Sequence, residues 1–83
     1  MELATPKVIK LLKRDIPLHV LWPSHAWCGL VIPRGTFCRM IDRGSTKGKF
    51  WIDSFDWLDK KKYPLVHHDA VHYGIVVEAS EVE

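Results

Sequence analysis

Residues 27–41 have the sequence WCGLVIPRGTFCRMI, in which two apolar stretches are separated by the turn residues PRG. β-branched and aromatic side chains favour strands, so both stretches, 27–32 and 36–41, are predicted to be strands. A three-residue connection that contains glycine is typical of a hairpin, with Gly35 at a position of positive φ. The stretch therefore predicts a hairpin of antiparallel strands near the middle of the chain.

Three further segments on either side of this hairpin have strand character. Residues 18–22 precede it, residues 49–55 alternate in polarity after the loop sequence DRGSTKG, and residues 71–78 lie near the end. The connections are too short for the crossover helices that parallel strands require, so the sheet is predicted to be antiparallel. A short helical turn is predicted near residues 55–61, and residues 79–83 are expected to fray.

A helix is predicted before the first strand, over residues 6–15. Pro6 suits the first helical position, where its missing N–H costs nothing, and apolar residues recur at helical spacing from Val8 onward. Pro17 restricts the backbone of the residue before it and so ends the helix.

These elements predict one domain over residues 1–83, because the chain is long enough for one core but not for two. The expected fold class is α+β, with the N-terminal helix packed on a small antiparallel sheet of four or five strands. A sheet that curls into an SH3-like or partial barrel is the alternative.

The composition, 47% hydrophobic and 27% charged, is that of a globular protein and excludes a disordered chain. No apolar run approaches the ~20 residues of a membrane-spanning helix, so no membrane partner is expected. Two cysteines do not indicate a disulfide framework, which predicts a cytoplasmic protein with reduced thiols.

Histidines and cysteines are the first candidates for a metal site. His25 and Cys28 have the H-x-x-C spacing of zinc ligands, and Cys38 and His68 could complete a set of four. In the predicted hairpin, however, the two cysteines would be diagonal neighbours, a separation that strains a shared metal ion. The alternative is that both cysteines are small buried hydrophobic residues, and no metal or other cofactor is predicted.

A second histidine pattern lies near the C-terminus. His68 and His72 are four residues apart, so on a helix they would present two ligands on one face, with Asp69 between them. Pro64 and Gly74 flank the stretch, which favours a polar loop with histidines at its rim.

No catalytic motif is evident, and the chain is interpreted as a non-enzymatic protein. Ser24 and His25 are adjacent, and neighbours on an extended chain point in opposite directions, which disfavours a nucleophile–base pair. Residues 44–48 contain the residue types of a phosphate-binding loop but not their order.

Basic and aromatic residues are concentrated in the central strands. Residues 34–49 contain one acidic residue and five basic ones. The basic residues are Arg34, Arg39, Arg43, Lys47 and Lys49. Cationic loops over a sheet that bears aromatic side chains can hold phosphates and stack bases, so one hypothesis is an RNA- or DNA-binding module. The net charge of only +2 is low for such a protein.

Tryptophan is frequent for so short a chain, with 4 in 83 residues. Trp22 and Trp57 are predicted to be exposed, and Trp51 to lie beside the basic residues. Because Trp and Arg are the side chains that most often dominate protein interfaces, the leading hypothesis is a protein that occupies the surface of a partner protein. Small inhibitors and adaptors act in this way, including those that phages and mobile elements encode. Alternative partners are a nucleic acid or a second copy of the chain, and the third hypothesis is a small zinc-binding or metal-dependent module.

Overall fold

The computed structural model describes residues 8–83, which form six short strands and two helices. The strands are β1 (Ile9–Leu11), β2 (Ile16–Pro17), β3 (Val31–Ile32), β4 (Phe37–Met40), β5 (Phe50–Ile52) and β6 (Val76–Val77). The helices are α1 (Leu18–Leu21) and α2 (Pro64–Tyr73), and 3₁₀ segments occupy Pro23–Cys28 and Ala79–Glu81. Within this part of the chain, no helix has both the length and the apolarity needed to cross a membrane.

All described strand pairs are antiparallel. Four strands form one sheet in the order β1-β4-β5-β6, and β2 and β3 form a separate pair. The α+β class with an antiparallel four-stranded sheet is therefore confirmed. The loop between β4 and β5 is closed by hydrogen bonds from Ile41 N to Lys49 O and from Gly48 N to Ile41 O. This is the loop DRGSTKG that the sequence predicted.

The two faces of the larger sheet differ because successive side chains on a strand point to opposite sides. The buried part of the inner face consists of Cys38, Phe50, Ile52 and Val77, whereas Lys10 and Met40 on the same side are exposed. We call the opposite side the outer face, and define it by Ile9, Leu11, Phe37, Arg39 and Trp51, which the strand register places together. The inner face packs in the core with Ile16 and Ile32 of the smaller sheet and with Val66 and Ala70 of α2.

The residues after β6 return to β1, at the other edge of the sheet. The backbones of Leu11 and Glu83 exchange two hydrogen bonds of 2.9 Å, and Lys13 N donates to Glu81 O at 2.8 Å. Val82 is buried, with 4% of its surface exposed, and forms a bridge with Leu12. The prediction that residues 79–83 fray was wrong, because backbone pairing and burial hold this segment on the sheet.

The predicted N-terminal helix over residues 6–15 is not confirmed. Residues 6 and 7 lie outside the described residues, and β1 occupies Ile9–Leu11. The reason is long-range pairing, since Ile9 lies opposite Arg39 and Leu11 opposite Phe37 on β4. These contacts outweigh the local preference for a helix, which contributes only a few tenths of a kcal/mol per residue.

The central predicted hairpin is also corrected. β3 pairs with β2 and β4 pairs with β1 and β5, so the stretches 27–32 and 36–41 belong to different sheets. The predicted strand 18–22 is mostly α1, and residues 23–28 form the 3₁₀ segment that begins at Pro23. Gly35 has the predicted positive φ, of 87°.

The segment after β5 also differs from the prediction. Residues 55–61, where a short helical turn was predicted, contain hydrogen-bonded turns that do not continue into a helix, and α2 replaces both the predicted loop and the start of the predicted strand 71–78. Pro64 begins α2, since the first helical position tolerates the missing N–H. Gly74 follows the last residue with φ of 75°, and a Cβ there would lie 3.2 Å from Cδ1 of Trp51. Glycine therefore allows α2 to end against the outer face.

Candidate functional site

The outer face exposes apolar side chains that form a continuous surface. Ile9, Leu11 and Phe37 are exposed by 43%, 40% and 55%. Beside them the guanidinium of Arg39 stacks on the ring of Trp51, with 5.7 Å between its carbon and the ring centroid. Arg39 and Trp51 are direct cross-strand partners on β4 and β5. The stack therefore places a cation and a large aromatic ring next to three exposed apolar groups.

A groove of about 320 Å³ extends this surface toward α2. It lies between the Arg39–Trp51 stack and the C-terminal turn of the helix, where Val71 and Tyr73 are 66% and 71% exposed. Gly74 and Trp51, which approach each other closely, both line the groove. Together the outer face and the groove offer a patch with aromatic, aliphatic and cationic groups, the residue types that are enriched in protein interfaces.

A second cavity, of about 310 Å³, lies on the other side of Phe37. Arg34 and Trp57 line it together with Phe37. Trp57 is half-buried, and its Nε1 donates a hydrogen bond of 2.8 Å to Ser54 O. The structure thus brings four of the predicted binding residues to the outer face or its rim: Arg34, Arg39, Trp51 and Trp57.

The other predicted binding residues do not join them. Lys49 forms an ion pair of 3.1 Å with Glu78. Arg43 and Lys47 lie in the exposed loop between β4 and β5. Trp22 packs half-buried against the core.

The exposed tryptophan is not one of those predicted. Trp22 and Trp57 are both half-buried, whereas Trp27 is 61% exposed. Trp27 packs on Tyr63, with ring centroids 6.1 Å apart, and lies in the 3₁₀ segment rather than in a strand. The prediction failed because the sequence indicated a strand at Trp27, where burial would have been normal.

His25 forms the polar contact that joins the 3₁₀ segment to α2. It is buried, and its Nε2 donates a hydrogen bond of 2.7 Å to Oδ2 of Asp69. The rings of Trp22 and Trp27 lie 5.3 and 6.2 Å from the imidazole. The hydrogen bond from His25, supported by one from His68, holds the pKa of Asp69 below its usual value, so this carboxylate stays ionised. Sequence reasoning missed the pair because 44 residues separate its members.

The four predicted zinc candidates do not assemble. Cys28 Sγ donates to the backbone oxygen of His25 at 2.9 Å, whereas Cys38 is fully buried in the core. Within residues 8–83 no group of three or more His, Cys, Asp or Glu side chains is arranged to hold a metal ion. Cys38 is the small buried hydrophobic residue of the alternative interpretation.

The Cys38 thiol should be unreactive while the protein is folded. Burial, together with the charge of Asp53, raises its pKa to about 11. Because the thiolate is the nucleophile, alkylation of Cys38 at pH 8 should be at least ~100-fold slower in the folded than in the unfolded chain. Iodoacetamide labelling followed by peptide mass spectrometry measures this ratio. Rapid labelling of Cys38 in native buffer would contradict its position in the core.

No family model, curated protein or solved structure matches the chain. The functional inference therefore depends on the geometry and chemistry of its surface.

Proposed function

We propose that the chain is a non-enzymatic binding protein that acts by covering the surface of a partner protein with its outer face. The observation that supports this most directly is the continuity of exposed apolar residues around the Arg39–Trp51 stack. Trp and Arg are the most frequent hot-spot residues in interfaces, and exposed apolar groups around them exclude water. Two free cysteines suit a reducing compartment, and we place this activity in the cytoplasm.

The partner surface should be apolar at its centre and carry a carboxylate near its edge. Arg39 lies 3.9 Å from Asp53, a distance that leaves its planar guanidinium open to a closer, bidentate carboxylate. Arg34 adds a second cation at the rim, beside Phe37. A partner of this kind would bury Phe37 and Trp51 and satisfy both charges, as an inhibitor or adaptor does.

A nucleic acid fits the same surface less well. Of the basic stretch, Lys49 already pairs with Glu78, and Arg43 and Lys47 lie in the loop between β4 and β5 rather than on the outer face. Ile9 and Leu11 offer no flat ring on which a base could stack. A crosslink to nucleic acid, in place of a crosslink to protein, is therefore the experimental outcome that would replace this proposal.

Site-specific photocrosslinking in the native cell tests the proposal. A photoreactive amino acid at position 37 should yield a protein adduct, and this adduct should disappear when Arg39→Gln is introduced into the same chain. The matched control places the same amino acid at position 31, on β3, where Val31 is 45% exposed. Equal adducts from both positions, or an adduct that nuclease removes, would overturn the proposal. An adduct of twice the mass of the chain would identify a second copy as the partner.

A further inference from the structure

His68 and His72 are adjacent on an exposed side of α2. They lie one helical turn apart, with parallel rings at 15° and centroids 5.7 Å from each other. The side chain of His68 is 72% exposed, and His72 is also exposed. The sequence favoured a loop here, so the pair was not predicted to share a face. The helix removes that objection.

We propose that His68 and His72 together bind one transition-metal ion of the Zn²⁺ or Cu²⁺ class. Neutral imidazole is a preferred ligand of these ions, with metal–nitrogen distances of about 2.0–2.1 Å. Two bound nitrogens are therefore at most about 4 Å apart. The centroids of two such rings lie farther apart than their bound nitrogens, so the 5.7 Å between the centroids of His68 and His72 is compatible with this geometry once the exposed rings turn their nitrogens toward one ion.

Asp69 supplies an independent observation that points to a metal ligand. Its Oδ1 accepts a hydrogen bond of 3.4 Å from Nδ1 of His68, while Oδ2 accepts the 2.7 Å bond from buried His25. A carboxylate that accepts the second ring N–H of a histidine fixes its tautomer and makes the other nitrogen a better ligand. In His68 the remaining nitrogen is Nε2. The contact with His25 holds Asp69 in place for this role.

An open cavity of about 410 Å³ lies beside the two rings and is lined also by His67 and Val71. Two protein ligands leave room for water or for a donor from another molecule. The bound ion should therefore exchange readily, unlike an ion in the closed four-ligand zinc site considered in the sequence analysis. The proposal does not depend on partner binding by the outer face, because it concerns the isolated chain.

Calorimetric titration of the full chain with Zn²⁺, and separately with Cu²⁺, tests the site. One ion should bind per chain, and His68→Ala and His72→Ala should each weaken the affinity at least ~10-fold. Cu²⁺ should bind more tightly than Zn²⁺, and Mg²⁺ should not bind, because it prefers oxygen ligands. The matched control is His19→Ala, which removes an exposed histidine of α1 and should leave binding unchanged.

Two further readouts separate this site from non-specific binding. The electron paramagnetic resonance spectrum of the Cu²⁺ complex should show nitrogen coupling that is lost in the His68→Ala, His72→Ala double variant. Asp69→Asn should weaken binding by about 10-fold as a positioning change, with circular dichroism used to confirm that the variant is folded. Unchanged affinity in both single variants, or an equal loss in His19→Ala, would overturn the proposal.

Discussion

Leu12→Ala should lower the free energy of unfolding by about 2–5 kcal/mol. Leu12 is 1% exposed in the core and bridges to Val82. Truncation removes its packing and leaves a cavity that the surrounding backbone cannot fill, because its N–H and C=O are bonded to Thr36 and Gly35. A domain of this size has only a small reserve of stability, so the loss should leave the variant marginally folded.

Leu11→Ala is the matched control for this prediction. Leu11 is the same residue type one position earlier on β1, but its side chain points to the outer face and is 40% exposed. Its truncation should cost about 1 kcal/mol or less. Urea unfolding followed by circular dichroism gives both values. A larger loss in Leu11→Ala than in Leu12→Ala would mean that the faces of β1 are assigned the wrong way round.

Phe37→Thr and Arg39→Gln should each weaken binding to the protein partner by about 30-fold or more, which corresponds to about 2 kcal/mol. Phe37 lies opposite Leu11 on the exposed apolar surface, and Arg39 lies over the ring of Trp51 with a guanidinium that Asp53, at 3.9 Å, does not engage in a bidentate pair. Threonine keeps the strand preference of position 37, and glutamine keeps a polar side chain at position 39 while removing the guanidinium and its charge. Both variants should therefore remain folded.

Surface plasmon resonance with the crosslinked partner measures these affinities. Val31→Thr provides the control, since it makes a similar apolar-to-threonine change at an exposed position of the other sheet. A protein interface with one or two charge contacts should show a shallow salt dependence. A steep decline in affinity with salt concentration, of the kind caused by counterion release, would favour nucleic acid instead. Equal losses in Val31→Thr would contradict the assignment of the binding surface.

The parts of the fold that sequence predicts well are those with local causes. Alternating polarity located β5, and the residues of the loop at 42–48 identified the connection between β4 and β5. The positive φ of Gly35 was predicted from the residues of the turn alone. By contrast, β1 is a strand because β4 lies beside it, and nothing within residues 9–11 specifies that partner. Pro64 has two local meanings, helix start or helix end, and only packing of Val66 and Ala70 into the core decides between them.

In the candidate site, too, residue types were recognisable from the sequence, whereas the contacts between them were not. Arg39 and Trp51 were both recognisable by residue type, but their stack depends on the register of β4 against β5, which is a property of the sheet. The His25–Asp69 contact was not predictable, since it joins segments that are far apart in sequence. His68 and His72 were noticed as a pattern, and the missing information was the helix that carries them.

The pairing of residues 11–13 with residues 81–83 also has a consequence for biosynthesis. The two segments lie about 70 residues apart in the sequence, so β1 gains its second neighbour only after residues 81–83 have left the ribosome. Contacts between such distant segments carry the largest loop-closure entropy and form late in folding. Until residues 81–83 pair with it, β1 has β4 as its one strand neighbour in the larger sheet and leaves its other edge open.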